Sequence, residues 1–210
     1  MFLFTDDNSV GQISPSYEND PDVRLMLAVQ QGDKKAFETL MTKFYPRILN
    51  FVYKFVRNRA RSEELTQEIF IRVYKSVARY APKAKFQTWL YTIARNVCLN
   101  EVTRNKRKFV SLDAPSTFDG RTLEEKLENE RSPDPGHQVL HEERKRQVKK
   151  AIFALPPNQR TALILRRYEN MSYQQIAETM KTSSKAVKSL LNRAKENLKI
   201  SLKAYIQNDI

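Results

Sequence analysis

Between Lys83 and Arg107 the chain gathers amides and cations at helical spacing. Arg95, Asn96, Asn100, Arg104, Lys106 and Arg107 follow one another on a polar side, with Lys83 and Lys85 just ahead of them. Asn and Arg carry the planar, multi-donor heads that read base edges, and Lys and Arg neutralise phosphate. Tyr80, Phe86, Trp89 and Tyr91 lie in the same stretch, and aromatic rings among cations suit unpaired bases. Phe86 and Trp89 read as core, whereas Tyr80, at the start of a loop, is the stacking candidate. A second set, Lys185, Lys188, Ser189, Asn192, Arg193 and Lys195, repeats the theme near the C-terminus. Both sets speak for binding a polyanion. Glu63, Glu64 and Glu68 come nearest to a carboxylate metal centre. The only histidines, His137 and His141, lie far from them, and no acid cluster has a ligand spacing. No catalytic residue, metal or cofactor is therefore expected.

Helices have to position these residues. From Asp33, a capping residue, the apolar positions Phe37, Leu40, Met41, Phe44, Ile48, Phe51, Val52 and Phe55 step by three and four. Pro46 is expected to bend or break this run. Ser62-Glu63-Glu64 reads as the opening of a second helix, with Leu65, Ile69, Val73 and Val77 inward and Glu64, Gln67 and Glu68 on a face that need not be buried. A third helix is predicted from Phe86 to about Val102, after a proline-turned connection over residues 80–85. Further on, Pro157 starts a helix, and Ser172-Tyr173-Gln174-Gln175 is a capping box. A break at Lys181-Thr182-Ser183-Ser184 precedes a last helix to about Leu202. A short helix, a tight turn and a long cationic helix make a helix-turn-helix, with Ala177 and Val187 packed where the helices cross.

The charge divides the chain. Its 210 residues carry a formal net charge of +13 with 1 Cys and 4 Gly, which excludes a disulfide scaffold and a turn-rich sheet fold. Residues 22–107 hold 18 basic and 7 acidic side chains, and residues 141–210 hold 15 and 6. Between them residues 108–140 hold 4 basic and 7 acidic groups with Pro115, Pro133, Pro135, Gly120 and Gly136, the composition of a linker. The acidic residues 1–21 read as a mobile extension. No apolar run of about 18 residues exists and the first residues are acidic rather than basic, so a cytoplasmic protein that does not insert into membrane is expected. The fold class is all-α: two small helical domains, a bundle and a helix-turn-helix, on a flexible acidic linker.

The run SEELTQEIFIRVYKSV followed by FQTWLYTIARNVCLNEVTRNKRK resembles region 2 of bacterial extracytoplasmic-function sigma factors, and ALPPNQRTALILRRYENMSYQQIAETM with KAVKSLLNRAKENL resembles their region 4. The resemblance implies a transcription initiation factor without catalysis. It would bind core RNA polymerase through the β′ clamp and the β flap, direct it to promoter DNA and promote melting. Glu64, Gln67, Glu68 and Arg72 then stand at the β′ contact. The loop Arg79 to Lys85, Tyr80 included, with Asn96, Asn100, Arg104, Lys106 and Arg107, stands at the −10 element, and Lys185, Lys188, Ser189, Asn192, Arg193 and Lys195 at the −35 element. An anti-sigma protein is the implied inhibitor. Lys181 occupies a turn position where the motif often has Gly, and Leu190 one where it commonly has Arg. The alternative is a helix-turn-helix regulator that acts without polymerase.

Overall fold

The computed structural model describes Tyr17, residues 19–109 and residues 135–206, with side chains described outside 105–109, 135–142 and 204–206. The expected extension over residues 1–21 lies outside these residues except for Tyr17 and 19–21, and the expected linker over 108–140 does so except at its two ends, where 108–109 and 135–140 are helical rather than linker. Eight α-helices and one 3-10 turn follow in order among the described residues: α1 (Pro21–Gln30), α2 (Lys34–Val56), α3 (Arg59–Lys75), the 3-10 turn (Val77–Arg79), α4 (Phe86–Phe109), α5 (Pro135–Ala154), α6 (Pro157–Arg167), α7 (Tyr173–Met180) and α8 (Ser184–Ile206). The all-α fold in two helical domains is as expected.

Capping residues set the starts. Asp20 Oδ1 accepts from the amides of Asp22 and Val23 at 2.9 and 3.2 Å, with Pro21 at the first position of α1. Asp33 does the same for Lys35 and Ala36 on α2. Between them Gly32 turns the chain at φ +98°, a conformation costly to residues with a Cβ.

Pro46 does not break α2, which runs on to Val56. An interior proline costs roughly 3 kcal/mol. Against this stand Leu40, Phe44, Ile48, Phe51, Val52 and Phe55, all buried on one face, each contributing about 1.5–3 kcal/mol. Packing on both sides of the proline outweighs the lost bond. The start of α3 also departs from expectation. Arg57 is left-handed (φ 55°) and ends α2, so Asn58 is the cap and accepts from the Arg61 amide at 2.8 Å. Ser62 is fully buried one turn inside, its hydroxyl donating to the Asn58 carbonyl.

Helices α1 to α4 surround one core and α5 to α8 surround another, but the two are not separate. Helix α4 packs on α7, and the buried side chains of both modules join in one cluster, from Val23 to Val187. Gln87 Nε2 donates to the Glu169 carbonyl at 3.2 Å, and the Thr179 hydroxyl lies 3.4 Å from the Thr88 carbonyl. Arg57 donates to the Lys149 carbonyl and stacks 4.1 Å from the Phe153 ring centroid. Arg160, 6% exposed, lies against the same ring and donates to the carbonyls of Phe153 and Leu155 at the end of α5. Burial, with Arg57 close by, lowers its pKa to about 10.

Candidate nucleic-acid interface

The polar face of α3 is built by spacing. Glu64, Gln67, Glu68, Ile71 and Arg72 fall three and four apart, opposite buried Leu65, Ile69, Phe70 and Val73. Glu64 accepts from Arg61 at 2.6 Å, and Glu68 accepts from Arg72 Nη2 at 2.5 Å. On the same side of the helix Ile71 is 54% exposed. Sequence reasoning passed over Ile71, although its position two residues off the inward stripe was the available signal. Tyr74, also exposed, leans its ring edge on Phe37 at 5.3 Å.

The connection after α3 is pinned by a residue the sequence did not suggest. Gln30 Nε2 lies 3.0, 3.3 and 3.3 Å from the carbonyls of Val77, Ala78 and Tyr80. Arg79, Lys83 and Lys85 extend outward from this connection and are exposed. Tyr80 is not. It is 6% exposed, its ring edge-on to Trp89 at 4.9 Å and beside Phe86, and burial with the Asp20 and Asp22 carboxylates pushes its phenol well above the ordinary value. The expected stacking residue is thus core, and the half-buried Trp89 is the ring left near the surface. The reason is steric: Pro82 is buried too, and the connection folds inward over Phe86.

Helix α4 extends well past the expected Val102. Asn96, Asn100 and Arg104 are exposed one turn apart, whereas Arg95 crosses to α6 and donates to Asn158 Oδ1 at 3.1 Å. Lys106 and Arg107 continue the helix, and their side chains lie outside those described. On the inner side Tyr91 and Cys98 are fully buried, and burial raises both their pKa values.

In the second module the capping box closes as read. The Ser172 hydroxyl accepts from the Gln175 amide at 3.2 Å, and Gln175 Oε1 accepts from the Ser172 amide at 2.8 Å. Lys181 turns left-handed (φ 51°, ψ 53°) and the Thr182 amide returns to the Ala177 carbonyl at 2.9 Å. Ala177 and Val187 are both buried where α7 and α8 cross. Leu190 is half-buried, turned toward the core. Lys185, Lys188, Ser189, Asn192, Arg193 and Lys195 are all exposed along one face of α8. This is a helix-turn-helix with a cationic second helix.

Comparison with known proteins places both modules. Residues 40–108 match sigma-70 region 2, and residues 145–198 match sigma-70 region 4. The chain is 31% identical over 190 residues to the RNA polymerase sigma-H factor of Pseudomonas aeruginosa, covering 89% of this chain and 96% of that one. It is 33% identical to the ECF RNA polymerase sigma-E factor of Haemophilus influenzae, covering 83% and 92%. The chain belongs to the sigma-70 family, in its extracytoplasmic-function group. As such a sigma factor it directs RNA polymerase to promoters, and a regulator working apart from polymerase is not favoured. Among solved structures the fold is similar to RpoE of Bartonella quintana in complex with the anti-sigma factor NepR (TM-score 0.63, 21% identity, 80% of this chain and 98% of that one). It is also similar to CnrH in complex with the cytosolic domain of CnrY (TM-score 0.64, 18% identity, 87% and 97%). No helix among the described residues of this sigma factor is long and apolar enough to cross a membrane.

Proposed function

We propose that the sigma factor holds core RNA polymerase through Glu64, Gln67, Glu68 and Arg72, with Ile71 as the apolar centre of that contact. The polar ring excludes wrong partners and the isoleucine supplies desolvated area. The loop from Arg79 to Lys85 and the α4 face of Asn96, Asn100, Arg104, Lys106 and Arg107 take the −10 element. Extruding a base costs a few kcal/mol of stacking, which a fitted pocket offsets only for particular bases, so recognition and melting become one step without ATP. Lys185, Lys188, Ser189, Asn192, Arg193 and Lys195 take the −35 element, and β flap contacts come from the same module. The factor has no reaction of its own to catalyse and works in the cytoplasm. An anti-sigma protein is its inhibitor, motivated by two exposed cationic faces on a chain of +13.

The observation that carries this reading is the α8 face, exposed at all six positions directly behind the left-handed turn at Lys181. The two elements, named for positions −10 and −35, lie about 25 base pairs apart, roughly 85 Å of duplex. Helices α4 and α8 both pack on α7, at roughly 8–10 Å between neighbouring axes and far short of that distance, so the modules separate when both elements are bound.

Run-off transcription tests the proposal. Transcripts are expected from cognate promoters with core enzyme and this polypeptide together, while the polypeptide alone shifts duplex DNA weakly. Transcript yields no higher than with bare core enzyme would overturn it, and tight operator binding by the polypeptide alone would restore the regulator.

A further inference from the structure

Helices α3 and α4 are joined by a chain of charged side chains. Glu101, on α4, has a side chain only 5% exposed. Arg61, on α3, grips it with two nitrogens, Nε to Oε1 at 3.0 Å and Nη2 to Oε2 at 2.9 Å. The third edge of the same guanidinium holds Glu64, Nη1 to Oε2 at 2.6 Å. On the other side Arg104 reaches back one turn, its Nη2 3.0 and 2.8 Å from the two oxygens of Glu101. The order Glu64–Arg61–Glu101–Arg104 therefore runs from the outer face of α3 to the outer face of α4. The groove it crosses carries Glu68 and Arg72 on one wall and Asn100 and Arg104 on the other.

We infer that Glu101 is a positioning residue, a buried carboxylate that sets Arg104 toward promoter phosphate and Glu64 toward polymerase at once. The inference rests on the docking and −10 assignments proposed above. Arg104 engages Glu101 through one nitrogen and its side chain is 53% exposed, so a half-fixed guanidinium presents its remaining donors outward. Fixing a rotamer-rich side chain before binding removes that ordering cost from the complex. Arg61 does the same for Glu64. Glu101 is the only member of the four so deeply buried, and it touches neither partner.

The test uses the full chain as wild type, Glu101→Gln, Arg104→Ala and Glu64→Gln. Two quantities are read: affinity for core polymerase, and the slope of log affinity for a promoter against log salt in the holoenzyme. That slope counts phosphate contacts and is not moved by a loss of folded fraction alone. Glu101→Gln is expected to weaken core binding three- to tenfold, as Glu64→Gln does. It should also flatten the salt slope by about 0.9, as Arg104→Ala does. The double variant with Arg104→Ala should show no further flattening. Wild-type slope and wild-type core affinity in Glu101→Gln, or additive flattening in the double variant, would overturn the inference. If Glu101→Gln does not fold, Arg61→Lys replaces it, which leaves Glu101 paired to Arg104. Weaker core binding at unchanged slope then supports the relay, and unchanged core binding refutes it. If Glu64→Gln or Arg104→Ala has no effect, the surface assignments fail first and the relay falls with them.

Discussion

Arg47 on α2 and Glu169 between α6 and α7 form an ion pair across the two modules, Nε and Nη2 both directed at Oε2 at 3.1 and 2.8 Å. The partners are unequal. The Glu169 side chain is 6% exposed, whereas that of Arg47 is 35% exposed. Removing the arginine strands a buried carboxylate, while removing the carboxylate leaves a guanidinium that water reaches. Arg47→Ala should therefore cost about 3 kcal/mol of urea stability, clearly more than Glu169→Ala. The cost can also be met by the modules parting. Dyes on Thr39→Cys and Lys199→Cys should then read a longer distance in Arg47→Ala, labelling being selective because Cys98 is buried. Equal losses for the two single variants would mean that the pair is solvated.

On α8, Arg193 and Lys195 are both exposed cations with different expected roles. Arg193→Ala should cost about 1–3 kcal/mol of promoter affinity in the holoenzyme, and the cost should vary with the −35 sequence. Lys195→Ala should weaken all promoters evenly and flatten the salt slope by about one. Footprinting across a promoter panel separates reader from phosphate clamp.

Lys181 holds a left-handed backbone that costs a residue with a Cβ about 1 kcal/mol or more. It is exposed, so glycine removes strain without opening a cavity. Lys181→Gly should raise the Tm by roughly 2–4 °C, read by calorimetry.

Tyr80 is buried with its hydroxyl unpaired among the described residues. Tyr80→Phe keeps the ring contacts with Trp89 and Phe86 and deletes the unmet polar group. It should stabilise the fold by about 1 kcal/mol and leave promoter opening unchanged, measured by denaturation and by permanganate reactivity. Lost opening with intact stability would return the residue to the DNA.

The Arg61 guanidinium, helped by Arg104, holds the Glu101 carboxyl below its usual 4.5. A depressed folded pKa adds stability that is complete above the unfolded value and is lost as pH falls through the folded one. The stability gap between wild type and Glu101→Gln should be widest above pH 5 and close progressively in acid below about 4.5. A gap independent of pH would mean that the carboxylate is not what Arg61 reads.

Much of this was legible in the sequence because the signals are local. The face from Leu40 to Phe55, the capping box at Ser172 and the cations from Lys185 to Lys195 each follow from spacing of three and four with a capping side chain. What escaped depends on partners distant in the chain. Pro46, itself exposed, survives inside α2 because the apolar face on either side of it, from Leu40 to Phe55, packs against other helices. Tyr80 turns inward because Trp89 and Phe86 receive it. Gln30 acts through carbonyls 47 to 50 residues away, and the guanidinium that grips Glu101 from α3 is 40 residues away. The joint between the modules, Arg47 with Glu169, has no trace in local periodicity at all.

Cys98 is the sole cysteine, fully buried on the inner side of α4, with its thiol pushed far toward the protonated form. Peroxide and electrophiles attack thiolates that solvent reaches, so the folded chain offers them no sulfhydryl to modify. A thiol switch, if one governs this transcription programme, therefore sits in a different molecule and reaches the sigma factor through binding.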